Sequence, residues 1–461
     1  MGIWFKREIL IIIQNFKIMK FKNNFLIITA FALSFGACKG YFGNTNVNPD
    51  DTLAAGANTT LTPVETSLSY TLNGDFARFG SIFDQHIDGN NRQFAGFQLY
   101  QFTGGDFNTM WDNMYLDCGS NLKAMEAITD ARGANGYSGI ARILEAQVMM
   151  TLSDFFGDVP YSQAFQGLKT TQPTYDAQSA IYTNVFQLLT DGRAKLALTV
   201  GAPAPGADDV IYAGSLAKWT KYANVLAARA YLHLGKVDAG NYAKALAELN
   251  KGGFASSAED GRFTYLNTST GAAPMYQYLT QRGDAENGAN FKALLTSLSD
   301  PRLATYGSSF FDAKGAIIHP IYKVLNQSVP MVTYTEQKFI EAECKFRGND
   351  LVGALAAYQA GIKASIIESG GKAADADAYI ATTKVTPITG IGLNEIMTQK
   401  YIAMYMQTEA YLDWRRTGIP ALKPNTGTAI PRRLLYPQSE INYNPNTPKG
   451  LTIFDRVFND K

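Results

Sequence analysis

Ala230-YLHLGKVDAGNYAKALAEL-Asn250 and Ala342-ECKFRGNDLVGALAAYQAG-Ile362 read alike. Each is a helix, a Gly-containing turn and a second helix, with small Ala residues where two helices can approach closely. Upstream in the first pair, residues 215–234 carry Leu216, Trp219, Tyr222, Leu226 and Ala230; residues 240–250 carry Tyr242, Leu246 and Leu249. In the second, Glu336 to Phe346 holds Phe339, Ile340 and Cys344, and Leu351, Leu355, Tyr358 and Ile362 follow the turn Arg347-Gly348-Asn349-Asp350. Such fourfold and threefold spacing is the mark of amphipathic helices.

The repeated unit resembles the tetratricopeptide pattern, in a degenerate and non-tandem form. Helical periodicity also covers 106–130, where Met110, Met114, Asp117, Asn121 and Met125 fall near one another and Trp111, Tyr115 and Leu122 share a neighbouring face. It covers 138–156, with Ser138 as the expected N-cap and Ile140, Leu144, Val148 and Leu152 at fourfold spacing. Residues 179–199 and 391–414 predict two more helices. Residues 251–333 differ: they are dense in Gly, Ser, Thr and aromatics, which marks long excursions from a helical scaffold. The Pro- and Asn-rich stretch 419–461 reads as an irregular segment wrapping that scaffold. The expected fold is all-α: a tetratricopeptide-like helical-pair scaffold with long irregular loop insertions, forming a single domain over 56–461.

The N-terminus sets the compartment. Phe25 to Phe35 carries no charge and follows Lys20, Lys22, Asn23 and Asn24. A basic start, a short apolar run and small residues after it make a secretory signal, and the run is far shorter than the ~20 residues of a membrane span. Gly36 and Ala37 stand directly before Cys38, an order that looks like the bacterial lipobox, with Phe35 where Leu is commoner. Residues 1–37 are read as a signal peptide, with Met19 a possible true start, and Cys38 as the lipid attachment site. A plain secretory signal with Cys38 incidental is the other reading. Residues 38–55 read as the lipidated tether, since Gly, Asn and Thr dominate and no periodicity appears.

Residues 1–37 hold five of the 41 basic and one of the 40 acidic residues, so the remainder carries 36 against 39, a net of −3. That balance argues against a nucleic-acid partner, which would require a basic stripe. Cys118 and Cys344 sit in helical patterns and read as small buried hydrophobes. The chain has three His, none at helical spacing from another, so no zinc site is expected. No GxSxG, Walker A or HExxH motif occurs. The acidic run Asp84 to Asp88 with Asn90 has oxygen ligands for calcium but not the EF-hand order. Glu341 and Glu343 lie two apart on a helix and do not face each other. The chain is expected to be neither an enzyme nor a cofactor binder.

Five stretches together resemble the SusD/RagB family of outer-membrane nutrient-binding lipoproteins of Bacteroidetes, and within it the SusD-like second group. They are the lipobox with Asn46-Val47-Asn48-Pro49; Leu152-SDFFGDVPYSQAF-Gln166; Leu298-Ser299-Asp300-Pro301-Arg302-Leu303; Gln399-KYIAMYMQTEAYLDWRRTGIPAL; and Ile430-PRRLLYPQSEINYN. They occur in order over nearly all of the mature chain. Asp154 to Tyr161 and Asp413 to Gly418 read as fold-building: a helix closing at Gly, and two cations at a helix C-terminus. The resemblance implies a helical scaffold with an irregular region carrying the ligand surface. It also implies anchorage in the outer membrane by lipid, exposure at the cell surface, and a SusC-like TonB-dependent barrel over which the lipoprotein closes as a lid.

A receptor of this kind needs aromatic rings for sugar faces and Asn, Asp, Gln and Arg for hydroxyls. The loops supply the expected contacts: Asn91, Arg92, Phe97 and Tyr100 within Asp88-GNNRQFAGFQLY-Gln101, then Tyr265, Tyr276 and Tyr278 in the long insertion. The Trp residues (Trp4, Trp111, Trp219, Trp414) lie outside these loops, which leaves a peptide open as cargo beside a glycan. Two other classes compete. A tetratricopeptide scaffold for outer-membrane assembly would keep tandem repeats and a bare groove. An α-helical glycoside hydrolase would need an inward-facing carboxylate pair.

Overall fold

The computed structural model describes residues 56–460. The expected signal peptide, Cys38, the expected tether and Asn46 to Pro49 lie outside the described residues. Helix α1 (Ala57–Thr71) runs through a π-turn (Leu72–Phe76) into α2 (Ala77–Phe83), followed by β1 (Ile87–Gly89) and α3 (Arg92–Gln98). A second irregular run follows: α4 (Asn108–Asp112), a π segment (Asn113–Ser120) and α5 (Asn121–Arg132). The scaffold proper is α6 (Asn135–Phe156), α7 (Gln178–Leu196), α8 (Leu216–His233) and α9 (Gly240–Asn250). The insertion carries β2 (Gly261–Thr264), α10 (Pro274–Gln281), β3 (Ala285–Asn287), α11 (Ala289–Leu298), α12 (Leu303–Tyr306) and β4 (Ser328–Val332). Then come α13 (Tyr334–Arg347), α14 (Leu351–Glu368), α15 (Ala373–Ile380), α16 (Leu393–Ala403), α17 (Thr408–Thr417) and α18 (Gln438–Tyr443).

Three antiparallel hairpins form the frame: α6 on α7, α8 on α9, and α13 on α14. They stack in series, α7 against α8 and α9 against α13, with α16 and α17 completing the row. The all-α, tetratricopeptide-like fold expected from the two quoted segments is the one present. Where α6 crosses α7 a Cβ on Gly139 would lie 2.8 Å from the Gly192 carbonyl oxygen, so both helices need Gly there to approach this closely. Local chemistry sets the ends. Asp350 caps α14 by accepting from the Gly353 amide (2.9 Å), and Thr333 caps α13 by accepting from Glu336 (3.2 Å). Gly418, at φ 72°, stops α17. Two short antiparallel ribbons shape the insertion: β1 with β3 ties it to the segment after α2, and β2 with β4 closes its two ends on each other.

Several expectations change. Ser138 is not an N-cap: α6 begins at Asn135, and buried Ser138 donates to Asp130 (2.6 Å). The 106–130 helix is interrupted by the π segment, which shifts the buried stripe to Met110, Met114, Cys118, Leu122 and Met125, leaving Asp117 and Asn121 exposed. The 391–414 helix breaks between α16 and α17, where Met406 adopts φ 53°. Asp88 to Gln101 is not a loop throughout, because Arg92 to Gln98 is helical. Cys118 and Cys344 keep the expected role: both are buried and unbridged.

The core is threaded by charge. Asp154 at the end of α6 faces His233 Nδ1 (3.0 Å), and His233 Nε2 faces Glu409 on α17 (2.8 Å). Glu409 lies 3.6 Å from Arg229, whose Nε donates to Glu336 of α13 (2.6 Å). A second chain runs from Arg347 to Glu343, Arg416, Asp413 and Lys400 at 2.6–2.8 Å per link. Every group except Arg347 is buried. Removing one member strands its partner in an apolar interior, at a cost of about 3–5 kcal/mol.

Burial alone would lower the His233 pKa, but Asp154 and then Glu409 outweigh it and raise it from 6.5 to about 10. Proton uptake therefore favours the folded state. The His233 contribution is complete below pH 6.5 and fades as pH rises toward about 10. Thermal unfolding followed from pH 6.5 to 10 should show falling stability, and His233→Gln should lower the midpoint at pH 7 and flatten this slope.

Candidate functional site

The π-turn between α1 and α2 breaks the α-helical register where the surface opens. Its residue Asp75 and the following Arg78 pair on the flank of a cleft of about 340 Å³. The opposite wall is α3, which presents Gln93, Phe94 and Phe97. The floor and far rim come from the insertion, where α10 and its C-cap present Gln277, Tyr278, Gln281 and Arg282. Chain segments some two hundred residues apart meet here because β1 pairs with β3, bringing Gly89 opposite Ala285. Across that junction Arg92 Nη1 donates to the Arg282 carbonyl (3.0 Å), and Asn90 N donates to the Asp284 carbonyl (3.1 Å).

Aromatic packing gives the cleft a firm base. Phe94 meets Tyr278 at a centroid distance of 5.0 Å, the Arg78 guanidinium lies 4.5 Å over the Tyr278 ring, and Phe97 stacks on Phe102 at 4.8 Å. Burial, with the Asp284 carboxylate accepting its proton, raises the Tyr278 pKa, so Tyr278 stays a neutral phenol. Asp106 accepts from Thr103 N (2.7 Å), Thr103 Oγ1 (2.9 Å) and Gln93 Nε2 (2.8 Å). The carboxylates Asp75 and Asp106 are thus both engaged, and the lining charges, two acidic and two basic, cancel. The cleft offers amides, guanidinium N–H groups and ring edges, a set suited to a neutral ligand rich in hydroxyls.

The structure brings four of the seven expected residues to one place: Phe97 and Tyr278 line the cleft, with Asn91 and Arg92 at its edge. Asn91 caps α3 by accepting from Arg92 N (2.8 Å), and Arg92 sits at φ 49°, a backbone conformation that is sparse for non-Gly residues. The exposed stacking role expected of the rings does not fit their burial. Phe97, Tyr100, Tyr265 and Tyr278 are all under 10% exposed. Tyr100 accepts from Asn425 N (3.0 Å), away from the cleft; Tyr265 donates to Ser69 Oγ (3.2 Å) in the core; half-buried Tyr276 does not line the cleft. Sequence reading passed over Asp75, Arg78, Gln93, Gln281 and Arg282. Their available signal was an i, i+3 charge pair, Asp75 with Arg78, inside an apolar run.

The acidic run offers no cation site. Asp84 is buried and accepts from His86 N (3.0 Å), while Asp88 is held by Ala289 N (2.8 Å) and Gln98 Nε2 (3.1 Å). Among the described residues no group of three or more His, Cys, Asp or Glu could hold a metal ion. No described helix is long and apolar enough to cross a membrane. Glu341 and Glu343 diverge: Glu341 pairs with Lys338 and Lys345 (2.7 Å each), and Glu343 with Arg347 and Arg416.

Residues 49–437 match the SusD-like_2 family, described as starch-binding and associating with the outer membrane, so the chain belongs to that SusD-like family. No curated protein matches it in sequence. A SusD/RagB family protein from Bacteroides thetaiotaomicron is 22% identical with a TM-score of 0.71, covering 85% of this chain and 95% of that one. A chitin-binding SusD homologue from Flavobacterium johnsoniae is 20% identical with a TM-score of 0.72, covering 88% and 98%. A further chitin-binding protein is 23% identical with a TM-score of 0.75, covering 88% and 100%. At these identities the solved structures establish the shared fold.

Gly89 lies where the cleft wall packs most closely on β1. A Cβ there would lie 1.9 Å from the Phe94 carbonyl oxygen, so α3 rests directly on the β1 backbone. Gly89→Ala should cost about 1–3 kcal/mol by overpacking. Hydrogen exchange should show faster amide exchange confined to residues 87–98, with α6 to α9 unchanged.

Proposed function

We propose that this chain is a lipid-anchored receptor exposed at the cell surface. It captures an oligosaccharide in the cleft between α3 and α10 and passes it, unaltered, to a SusC-like TonB-dependent barrel over which it closes as a lid. The observation that carries this reading is the cleft's chemistry. It has a rigid aromatic base, balanced charge, and an exposed polar rim in which Gln281 and Arg282 have donors to offer hydroxyls and Gln93, donating to Asp106, is held in place beside them. Family membership supports nutrient binding at the outer membrane. The Cys38 thiol follows Gly36-Ala37, the setting for acylation, and each buried CH₂ of an acyl chain contributes ~0.8 kcal/mol of membrane affinity. Because two structural relatives are described as chitin-binding, chitin oligosaccharides are the first probe, followed by starch fragments and a peptide pool.

Titration calorimetry should give saturable binding of one oligosaccharide class. The double variant Gln93→Ala with Arg282→Ala should weaken it at least tenfold, about 1.4 kcal/mol or more. Both side chains are exposed, so the thermal midpoint should hold. Unchanged affinity in the variant, or binding to peptides alone, would remove the cleft or the glycan from the account. For the anchor, intact mass should show an acylated Cys38 as the first residue, and Cys38→Ser should move the protein from the membrane to the soluble fraction.

A further inference from the structure

A second cavity lies on the other side of the same two elements. The π-turn sends Asp75 toward the cleft but Asn73 into a separate space of about 210 Å³, and α10 contributes Pro274 and Met275 there, one turn before Gln277 and Tyr278 reach the cleft. Its walls are aromatic. Tyr306 and Tyr405 stack at 4.7 Å, and Tyr322, itself stacked on buried His319 at 4.7 Å, stands beside them.

Polar groups in it are left without partners. Gln327 Oε1 is buried and accepts no hydrogen bond among the described residues, although an acceptor shut away from water unpaired costs about 1–3 kcal/mol. The Tyr322 hydroxyl and the Gln407 amide, both lining the space, likewise make no side-chain hydrogen bond among the described residues. Charge, by contrast, is already matched: Arg262 reaches Glu368 (2.5 Å) and donates to the Ser328 carbonyl (2.8 Å). An ion entering would have to break that pair, and an apolar molecule would leave Gln327 Oε1 and the Tyr322 hydroxyl unmet. The volume falls below the roughly 300–1,000 Å³ of sites for drug-sized ligands but is several times a water's ~30 Å³.

We propose that this cavity is a second binding site, separate from the cleft, for one small neutral hydroxylated molecule no larger than a single sugar ring. Such a ligand donates a hydroxyl to Gln327 Oε1, exchanges hydrogen bonds with the Tyr322 hydroxyl and the Gln407 amide, and sets an apolar face against the tyrosine rings. The π-turn and α10 wall both spaces, so an occupant would also brace the cleft's floor.

The test is saturation-transfer NMR on the full-length protein with free D-glucose and glycerol as probes and D-glucuronate as the charged control. Saturable binding of a neutral probe, weakened at least tenfold by Gln327→Leu, left within twofold by Arg282→Ala and absent for glucuronate, is the expected result. Gln327→Leu removes an unpaired acceptor at nearly constant shape, so its thermal midpoint should be unchanged or higher; if that variant fails to fold, Tyr322→Phe reads the same loss. No saturable signal from either neutral probe means the cavity holds water alone and overturns the proposal. So does a signal lost with Arg282→Ala but kept with Gln327→Leu, which places the probe in the cleft. Oligosaccharide binding at the cleft is measured separately and stands or falls on its own.

Discussion

Buried charge that has to be paired is the constraint on which this molecule turns. Asp154, His233, Glu409, Arg229 and Glu336 come from α6, α8, α17 and α13, and none is near water. Glu343, Arg416, Asp413 and Lys400 add α16 to the same set. Hydrophobic burial would hold these helices together in many registers. A chain of ions at 2.6–3.6 Å tolerates few, because sliding one helix leaves a charge unpaired in the interior. The C-terminal segment is drawn in by the same logic: Arg415 of α17 donates to the Arg432 carbonyl (3.0 Å), Leu434 N to the Phe155 carbonyl (2.8 Å), and Asn459 to the Asp154 carboxylate (2.6 Å).

A frame fixed this way can carry irregular structure without losing its shape. The insertion between α9 and α13 holds little regular structure, yet β2–β4 closes it on itself, β1–β3 ties it to the segment after α2, and its buried Asp300–Arg302 pair (2.6 Å) is pinned to the frame by Arg302 donating to Ser365 Oγ (3.0 Å) and Tyr379 donating to Asp300 (2.8 Å). The cleft forms where the insertion meets the α1–α2 junction. Its polar rim is exposed and its base is immobilised by ring contacts, an arrangement that presents hydrogen-bond donors at little cost in ordering entropy on binding. The second cavity shares these walls, which makes the π-turn and α10 the mechanical link between the two spaces.

The frame was legible because its physics is periodic. Trp219, Tyr222 and Leu226, or Phe339 and Ile340, announce a buried helical face, and all of them are buried. Of the five motifs behind the family resemblance, the four within the described residues proved to be frame as well: Asp154, Arg302, Asp413, Arg416 and Arg433 are core ion-pair or carbonyl contacts. The π segments were not legible, since one extra residue per turn leaves no mark in composition, and so the stripe through 106–130 was read one register off. The cleft was half legible. Asn91, Arg92, Phe97 and Tyr278 were singled out as aromatic or polar residues in Gly-rich surroundings, but the same rule also selected Tyr100 and Tyr265, which the core needed. Asp75, Arg78 and Arg282 were missed because their meeting depends on the β1–β3 pairing of distant segments.

The most direct measurement is a crystal structure of the protein soaked with the tightest-binding oligosaccharide. The account predicts a sugar lying along the cleft, with hydroxyls on Gln93, Gln281 or Arg282. A saccharide seated elsewhere on the helical frame, with those side chains untouched, would contradict it.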